Sequence, residues 1–141
     1  QKIMDGSALL EYDLGGENIP MELRIGQYQE GGGLAIELVS WAGREPEDWE
    51  ALTTNLCVPC ERDHAFVNIN NPDGKVVCQW IEKNDLGKAT GRQQQSGFCT
   101  YPEYHFDAKR LKELDRAGYE KYLTSLQQRG RKSKSAGRHG R

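Results

Sequence analysis

The fold is decided by residues 90–106, TGRQQQSGFCTYPEYHF, which pass through two glycines into the densest aromatic run of the chain. From Phe98 onward the run has the period of two that is typical of a strand, and we predict that it forms the last strand of the core. Phe98, Tyr104 and Phe106 are predicted to face inward. The opposite side is predicted to face outward and to offer a protein-binding surface, formed by Tyr101, Glu103 and His105.

Four further segments show the same alternation and are predicted as strands: residues 19–29, 34–41, 51–58 and 64–70. Glycines at 31–33 predict a hairpin connection between the first two, because glycine readily adopts the positive φ of tight turns. Turn-forming residues at 70–74 end the fourth strand. For residues 7–14 the pattern leaves two alternatives open, a strand or a short helical turn.

Three segments carry helical signals. Residues 75–86 place their apolar side chains on one stripe and end before Gly87, which predicts a helix with that glycine as its stop. A strand over 75–80 is the alternative, because valine favours strands. Asp107 is predicted to cap a second helix. Past Gly118 a second apolar stripe is predicted to pack on the sheet or on a partner, and consists of Tyr119, Tyr122, Leu123 and Leu126. Outside these three segments, residues 42–50 are predicted as a loop or a single helical turn, and Pro46 would suit the first position of such a turn.

These elements predict one α+β domain over residues 1–126. Its core is a twisted, mainly antiparallel sheet of about five strands with one internal helix and a C-terminal helical segment. Residues 127–141 are predicted to form a basic tail, disordered from residue 130 onward, since Ala136 is their only apolar residue.

The net charge of −2 hides a strong asymmetry, because residues 1–126 carry −8 and the last fifteen carry +6. An acidic belt between Glu30 and Asp63 has a net charge of −6. We predict that this belt binds a protein, since a body so acidic repels DNA and attracts proteins that bind DNA. The predicted binding residues of the belt are Glu37, Glu45, Glu47, Asp48, Glu50, Glu61 and Asp63.

The basic tail supports an alternative function, nonspecific binding of nucleic acid by counterion release. The residues predicted to contact phosphates are Arg129, Arg131, Lys132, Lys134 and Arg138.

The cysteines suggest a third possibility. Cys57 and Cys60 have the CxxC spacing of zinc sites, and His64 could supply a further ligand, which would make the protein a zinc-stabilised module. A second close pair of cysteines is absent, and Glu61 and Asp63 oppose the thiolate that a redox site needs. The interpretation we favour is therefore that the cysteines are ordinary thiols, with no metal and no cofactor.

An enzyme is not expected, because no nucleophile, base and orienting group can be named together. In an extended strand Cys99 and His105 stand about 20 Å apart, too far for a nucleophile and its base. No apolar run approaches the roughly 20 residues of a membrane helix, and we expect a cytoplasmic protein.

Three motifs resemble a small domain of unknown function encoded on conjugative and phage-like elements of gut bacteria. They are residues 65–71 (AFVNINN), 84–87 (NDLG) and 90–106, within a similarity that covers about residues 20–115. The resemblance implies no catalytic residue. It implies an accessory protein of a mobile element, a class that often counters host defence and includes anti-CRISPR inhibitors of RNA-guided nucleases. We therefore expect a non-enzymatic inhibitor whose protein partner is such a nuclease or another DNA-binding protein.

Overall fold

The computed structural model describes residues 9–14, 16–69 and 74–139, and the predicted turn at 70–74 falls almost wholly outside them. The strands are β1 (Leu10–Leu14), β2 (Glu17–Gln27), β3 (Leu34–Ser40), β4 (Glu47–Ala51), β5 (Thr53–Thr54), β6 (His64–Val67), β7 (Gly87–Ser96) and β8 (Cys99–Phe106). The helices are α1 (Gly74–Lys83), α2 (Ala108–Leu114) and α3 (Arg116–His139). The α+β class and the antiparallel pairing are confirmed. The described strands form two four-stranded sheets rather than one sheet of about five strands.

The first sheet has the order β1-β2-β3-β4, in which each strand pairs antiparallel with the next. Along β2, Met21, Leu23 and Ile25 are buried, as the alternation predicts. The glycine turn closes the β2–β3 hairpin, where the Tyr28 amide donates to the Gly33 carbonyl at 2.9 Å. Residues 7–14 were predicted as either a strand or a short helical turn. The described part of this segment pairs with β2 and is therefore a strand, β1.

Two predictions in the region 42–60 are wrong. Residues 47–51 form a strand rather than a helical turn after Pro46, because pairing with the free edge of β3 outweighs a local preference for a helix start. The predicted strand at 51–58 shrinks to the two residues of β5. Beyond them Cys57 has a φ of 55°, which a strand does not accommodate, and residues 55–60 are irregular.

The second sheet has the order β5-β6-β8-β7 and contains the deciding stretch. That stretch is a hairpin rather than a single strand, since β7 and β8 pair around the turn at Gly97 and Phe98. Gly97 has a φ of 63°, which suits the first central position of a two-residue turn. The sequence pattern did not predict β7, because this strand is exposed along nearly its whole length and has no alternation to reveal it.

Helix α1 confirms the predicted internal helix, but its stop is Asp85 rather than Gly87. Asp85 has a φ of 57°, its amide donates to Glu82, and the Leu86 amide donates to the Ile81 carbonyl. These two hydrogen bonds form a Schellman motif. An apolar pair usually accompanies this motif, and here the pair is Leu86 and Ile81, which are both buried. Gly87 instead begins β7, close against the backbone of β8.

The C-terminal helices close the fold. Asp107 caps α2 as predicted, since its carboxylate accepts from the Arg110 amide at 3.1 Å. In α3 the predicted stripe packs on the core, with Tyr119 and Tyr122 buried and the two leucines partly buried. In residues 130–139, for which disorder was predicted, the structure continues α3. A helix that is already nucleated propagates readily through arginine, lysine and alanine.

A single hydrophobic core joins the two sheets to the three helices. Its buried members come from β1, β2, β3, β6 and β8 and from each helix, and they include Phe106, Ile81, Leu111 and Tyr122. Helices α2 and α3 both lie against β2.

Candidate functional site

The acidic belt is concentrated at one edge of the first sheet. Glu45 precedes β4, and Glu47, Asp48 and Glu50 lie on it, with no basic residue among them. Strand β4 is the last strand of its sheet and pairs only with β3. Glu37 of β3 is exposed beside it, in register with Ala51. We call β4 with Glu37 and Glu45 the acidic edge.

An exposed tryptophan lies within the acidic edge. The Trp49 side chain is 38% exposed, and among the described residues only Phe98 is a more exposed large hydrophobic residue. Sequence reasoning missed this residue because a single tryptophan between carboxylates gives no periodic signal. Tryptophan is one of the residue types enriched at protein-binding hot spots.

Two residues predicted to belong to the belt lie elsewhere. Glu61 is exposed in the loop before β6. Asp63 is 3% exposed and therefore does not lie on the surface with the other predicted residues of the belt. Its carboxylate accepts from the Tyr119 hydroxyl at 2.9 Å and contacts Arg62 at 3.5 Å, while its amide donates to the Tyr122 hydroxyl at 3.0 Å. Asp63 therefore fastens α3 to the loop before β6.

The buried tyrosines predict a loss of stability in alkali. Burial, with the hydrogen bond to Asp63 as a further cause, raises the pKa of Tyr119 to about 12, and burial also raises the pKa of Tyr104 and of Tyr122. A phenol whose folded-state pKa exceeds its unfolded value of about 10 stabilises the fold fully below pH 10 and loses that contribution as the pH rises toward 12. Urea unfolding should therefore show lower stability at pH 11 than at pH 9. Equal midpoints would contradict this assignment, and Tyr119→Phe should reduce the difference.

The predicted outward side of β8 is mostly buried. Tyr101 and Glu103 are 6% and 4% exposed, so the prediction that they face outward is wrong, whereas His105 is exposed. The inward prediction holds for Tyr104 and Phe106 and fails for Phe98, which is fully exposed in the hairpin turn. Both faces of β8 are covered, because Tyr104 and Phe106 lie in the hydrophobic core while Glu103 on the opposite face is bonded to Thr90 and Arg92.

The buried Glu103 is the centre of a polar cluster that sequence reasoning did not find. Its carboxylate accepts from the Thr90 hydroxyl at 2.8 Å and from Arg92 Nη1 at 3.1 Å. Arg92 also donates to the Pro59 carbonyl at 3.2 Å, and its guanidinium lies 5.4 Å from the centre of the Phe66 ring. Burial, followed by the charge of Glu103, raises the pKa of the neighbouring Cys60 thiol to about 11. We call Thr90, Arg92 and Glu103 the Glu103 cluster.

The three residues considered as zinc ligands, Cys57, Cys60 and His64, contact different partners. Cys57 Sγ lies 3.9 Å from Glu30 Oε2, and Cys60 lies beside Glu103. His64 stacks on His105 with ring centres 4.3 Å apart, while its Nδ1 lies 2.9 Å from the Arg62 carbonyl. Across residues 9–14, 16–69 and 74–139, no three His, Cys, Asp or Glu side chains are grouped as a metal site requires. These residues therefore do not make a ligand set.

The basic residues of the predicted tail lie in the last part of α3, whose helical backbone extends to His139. They occupy ten residues of helix from Arg129 to Arg138 and carry five positive charges. No helix in the described part of the chain is long and apolar enough to cross a membrane.

Comparison with protein families matches residues 22–126, about three quarters of the chain, to a domain of unknown function, DUF4313. The chain belongs to the DUF4313 family. Neither the curated proteins nor the solved structures contain a match. The family match begins within β2 and ends within α3, so the DUF4313 domain contains both the acidic edge and the Glu103 cluster but not the basic end of α3.

Proposed function

We propose that this DUF4313 protein is a non-enzymatic accessory protein that binds a basic surface of another protein through its acidic edge. The observation that carries the proposal is the composition of the acidic edge, where Glu45 and the three carboxylates of the edge strand β4 lie around a partly exposed tryptophan. Unlike Asp63 and Glu103, which are buried, Glu45, Glu47 and Asp48 are exposed and Glu50 is half-buried.

Each part of the acidic edge has a physical role in such binding. The carboxylates attract a basic partner over a distance of about a Debye length and select against acidic ones. Trp49 can enter a pocket and supply apolar contact area.

The partner class follows from the charge and from the resemblance of residues 90–106 to domains of mobile elements. Proteins that bind nucleic acid present the basic grooves that an acidic strand complements. An RNA-guided nuclease of the host is such a protein, and an inhibitor of it would act in the cytoplasm. We therefore propose an anti-CRISPR or related counter-defence function.

Reversing the four charges is expected to abolish this binding. In the variant with Glu45, Glu47, Asp48 and Glu50 changed to lysine, affinity for the partner should fall roughly 100-fold, at about 0.7 kcal/mol for each exposed charge pair. The partner is first captured from a host bacterial lysate with the full chain and identified by mass spectrometry. Its purified form is then titrated by calorimetry.

A matched control separates local from overall charge. Reversing four carboxylates outside the belt, Glu11, Glu17, Glu113 and Glu120, changes the net charge equally and should leave affinity within a fewfold of the wild type. Trp49→Ala alters no charge and should weaken binding at least tenfold. Unchanged binding by both the reversed edge and Trp49→Ala would remove the acidic edge from the mechanism.

A second candidate function is favoured by the helical backbone of the basic segment. A helix with five positive charges in ten residues can lie along a phosphate backbone and release counterions. Deleting residues 130–141 should then reduce retention of DNA or RNA and flatten its dependence on salt. Retention that the deletion does not change would discard this candidate, while leaving the acidic edge proposal intact.

A further inference from the structure

The free edges of the two sheets differ in how they are protected against pairing with another strand. Natural edge strands avoid such pairing by charge, by brevity or by bulges. Strand β1 contains Glu11 and Asp13, and β4 contains three carboxylates. Strand β5 has only two residues. The fourth edge is β7, whose last four residues are uncharged and regularly paired with β8.

The first half of β7 is protected, and the second half is not. A register shift between Ala89 and Gln93 interrupts the first half, which also carries Lys88 and Arg92. From Gln93 to Ser96 the pairing is continuous, and the side chains are exposed or half-buried. Among the described edge strands, this four-residue stretch therefore lacks all three forms of protection: it has no charge, it has no bulge, and it is not part of a very short strand. We call residues 93–96 the neutral edge.

The hairpin geometry identifies which backbone groups of the neutral edge point outward. A two-residue turn makes Ser96 and Cys99 a hydrogen-bonded pair, so Gln94 is also bonded to β8. The N–H and C=O groups of Gln93 and Gln95 therefore point away from β8. In agreement, the Gln95 carbonyl accepts from the side chain of Gln94 at 3.3 Å, a contact that only an outward carbonyl can make.

We propose that the neutral edge is a self-association site at which a second copy of this chain pairs antiparallel with β7. Of the antiparallel registers, the one that joins Gln93 of one copy to Gln95 of the other uses the outward groups of both residues on both copies, and it is the register we propose. This places the two-fold axis at Gln94 and gives four backbone hydrogen bonds. The two Gln94 side chains then lie directly opposite each other, with Cβ atoms about 5 Å apart.

The charge distribution favours a second copy as the occupant. In this register Arg92 lies opposite Ser96, so no like charges meet across the pair. The acidic edge belongs to the other sheet, and its carboxylates are therefore not brought together by pairing through β7. Phe98, which is fully exposed, falls just beyond the paired segment and can cover the neighbouring strand. The short ladder predicts a weak, concentration-dependent dimer.

A charge-swap experiment at Gln94 tests both the edge and the register. Because the two Gln94 side chains face each other, Gln94→Lys and Gln94→Glu should each raise the dissociation constant of the dimer at least tenfold by like-charge repulsion. An equimolar mixture of the two variants should restore association to within about threefold of the wild type. The full chain is measured by sedimentation equilibrium from about 10 μM to 1 mM, and circular dichroism verifies that each variant is folded.

Two results would overturn the inference. A wild-type chain that remains monomeric at 1 mM excludes the dimer. Dimerisation of the wild type without recovery in the mixture excludes this edge or this register, because any contact elsewhere is insensitive to the sign of the charge at residue 94. Neither result depends on the acidic edge, so the proposed function is tested separately.

Discussion

Replacing Arg92 with alanine is expected to lower the free energy of unfolding by about 2–3 kcal/mol. The substitution removes a charged donor from the Glu103 carboxylate, which is 4% exposed, and leaves it with the Thr90 hydroxyl and the Cys60 thiol. An uncompensated buried charge costs about 3–5 kcal/mol, and the value is reduced here because the Arg92 side chain is itself 44% exposed. Loss of the bond to Pro59 also loosens residues 55–60.

Two further variants identify the cause. Arg116→Ala makes the same chemical change in an exposed pair with Glu120, and should cost less than 1 kcal/mol. The double variant Arg92→Met with Glu103→Leu removes both charges and should recover most of the lost stability, because a buried ion pair can often be replaced by apolar packing. Urea denaturation measures all four proteins. If the double variant is no more stable than Arg92→Ala, then the packing of the arginine side chain, rather than its charge, stabilises the Glu103 cluster.

The fold could be predicted from the sequence wherever an element buries one face. Met21, Leu23 and Ile25 alternate because β2 lies on the core, and the stripe of α1 is helical for the same reason. Strands β4 and β7 gave no such signal, since both are edge strands with little burial. Their pairing is decided by the free edge of a neighbouring strand, which no local pattern encodes.

The candidate site, like the fold, could be predicted from the sequence only in part. The acidic edge was predicted because its carboxylates are neighbours in sequence, from Glu45 to Glu50. Asp63 and Glu103 were misplaced, because a carboxylate in a loop or strand has the same sequence signal whether it is solvated or bonded in the interior. Phe98 was misplaced because alternation was extended through a turn. Phe98 follows Gly97 in that turn, and the side chains of turn residues do not alternate between the two faces of a sheet as those of a strand do.

Replacing Gly118 with alanine is expected to cost about 3 kcal/mol. At this position α3 begins against β2, and an added Cβ would overlap the Ile25 carbonyl oxygen and the Asp115 carboxylate. That carboxylate accepts from the Ile25 amide at 2.8 Å and from the Gly118 amide at 3.1 Å. Alanine therefore forces the helix away from the strand and weakens both hydrogen bonds, which adds to the cost of overpacking.

Gly26→Ala is the matched control, because it lies next to Ile25 on the same strand and an added Cβ there meets no atom within 4 Å. It should change stability by less than 1 kcal/mol. Thermal and urea unfolding of the two variants should therefore differ by about 2 kcal/mol or more. The start of α3 carries Tyr119 and Tyr122 into the core, so a shift at Gly118 also strains their bonds to Asp63. If the two alanine variants were equally stable, α3 could move from β2 at little cost, and the fit at Ile25 would not hold the helix in place.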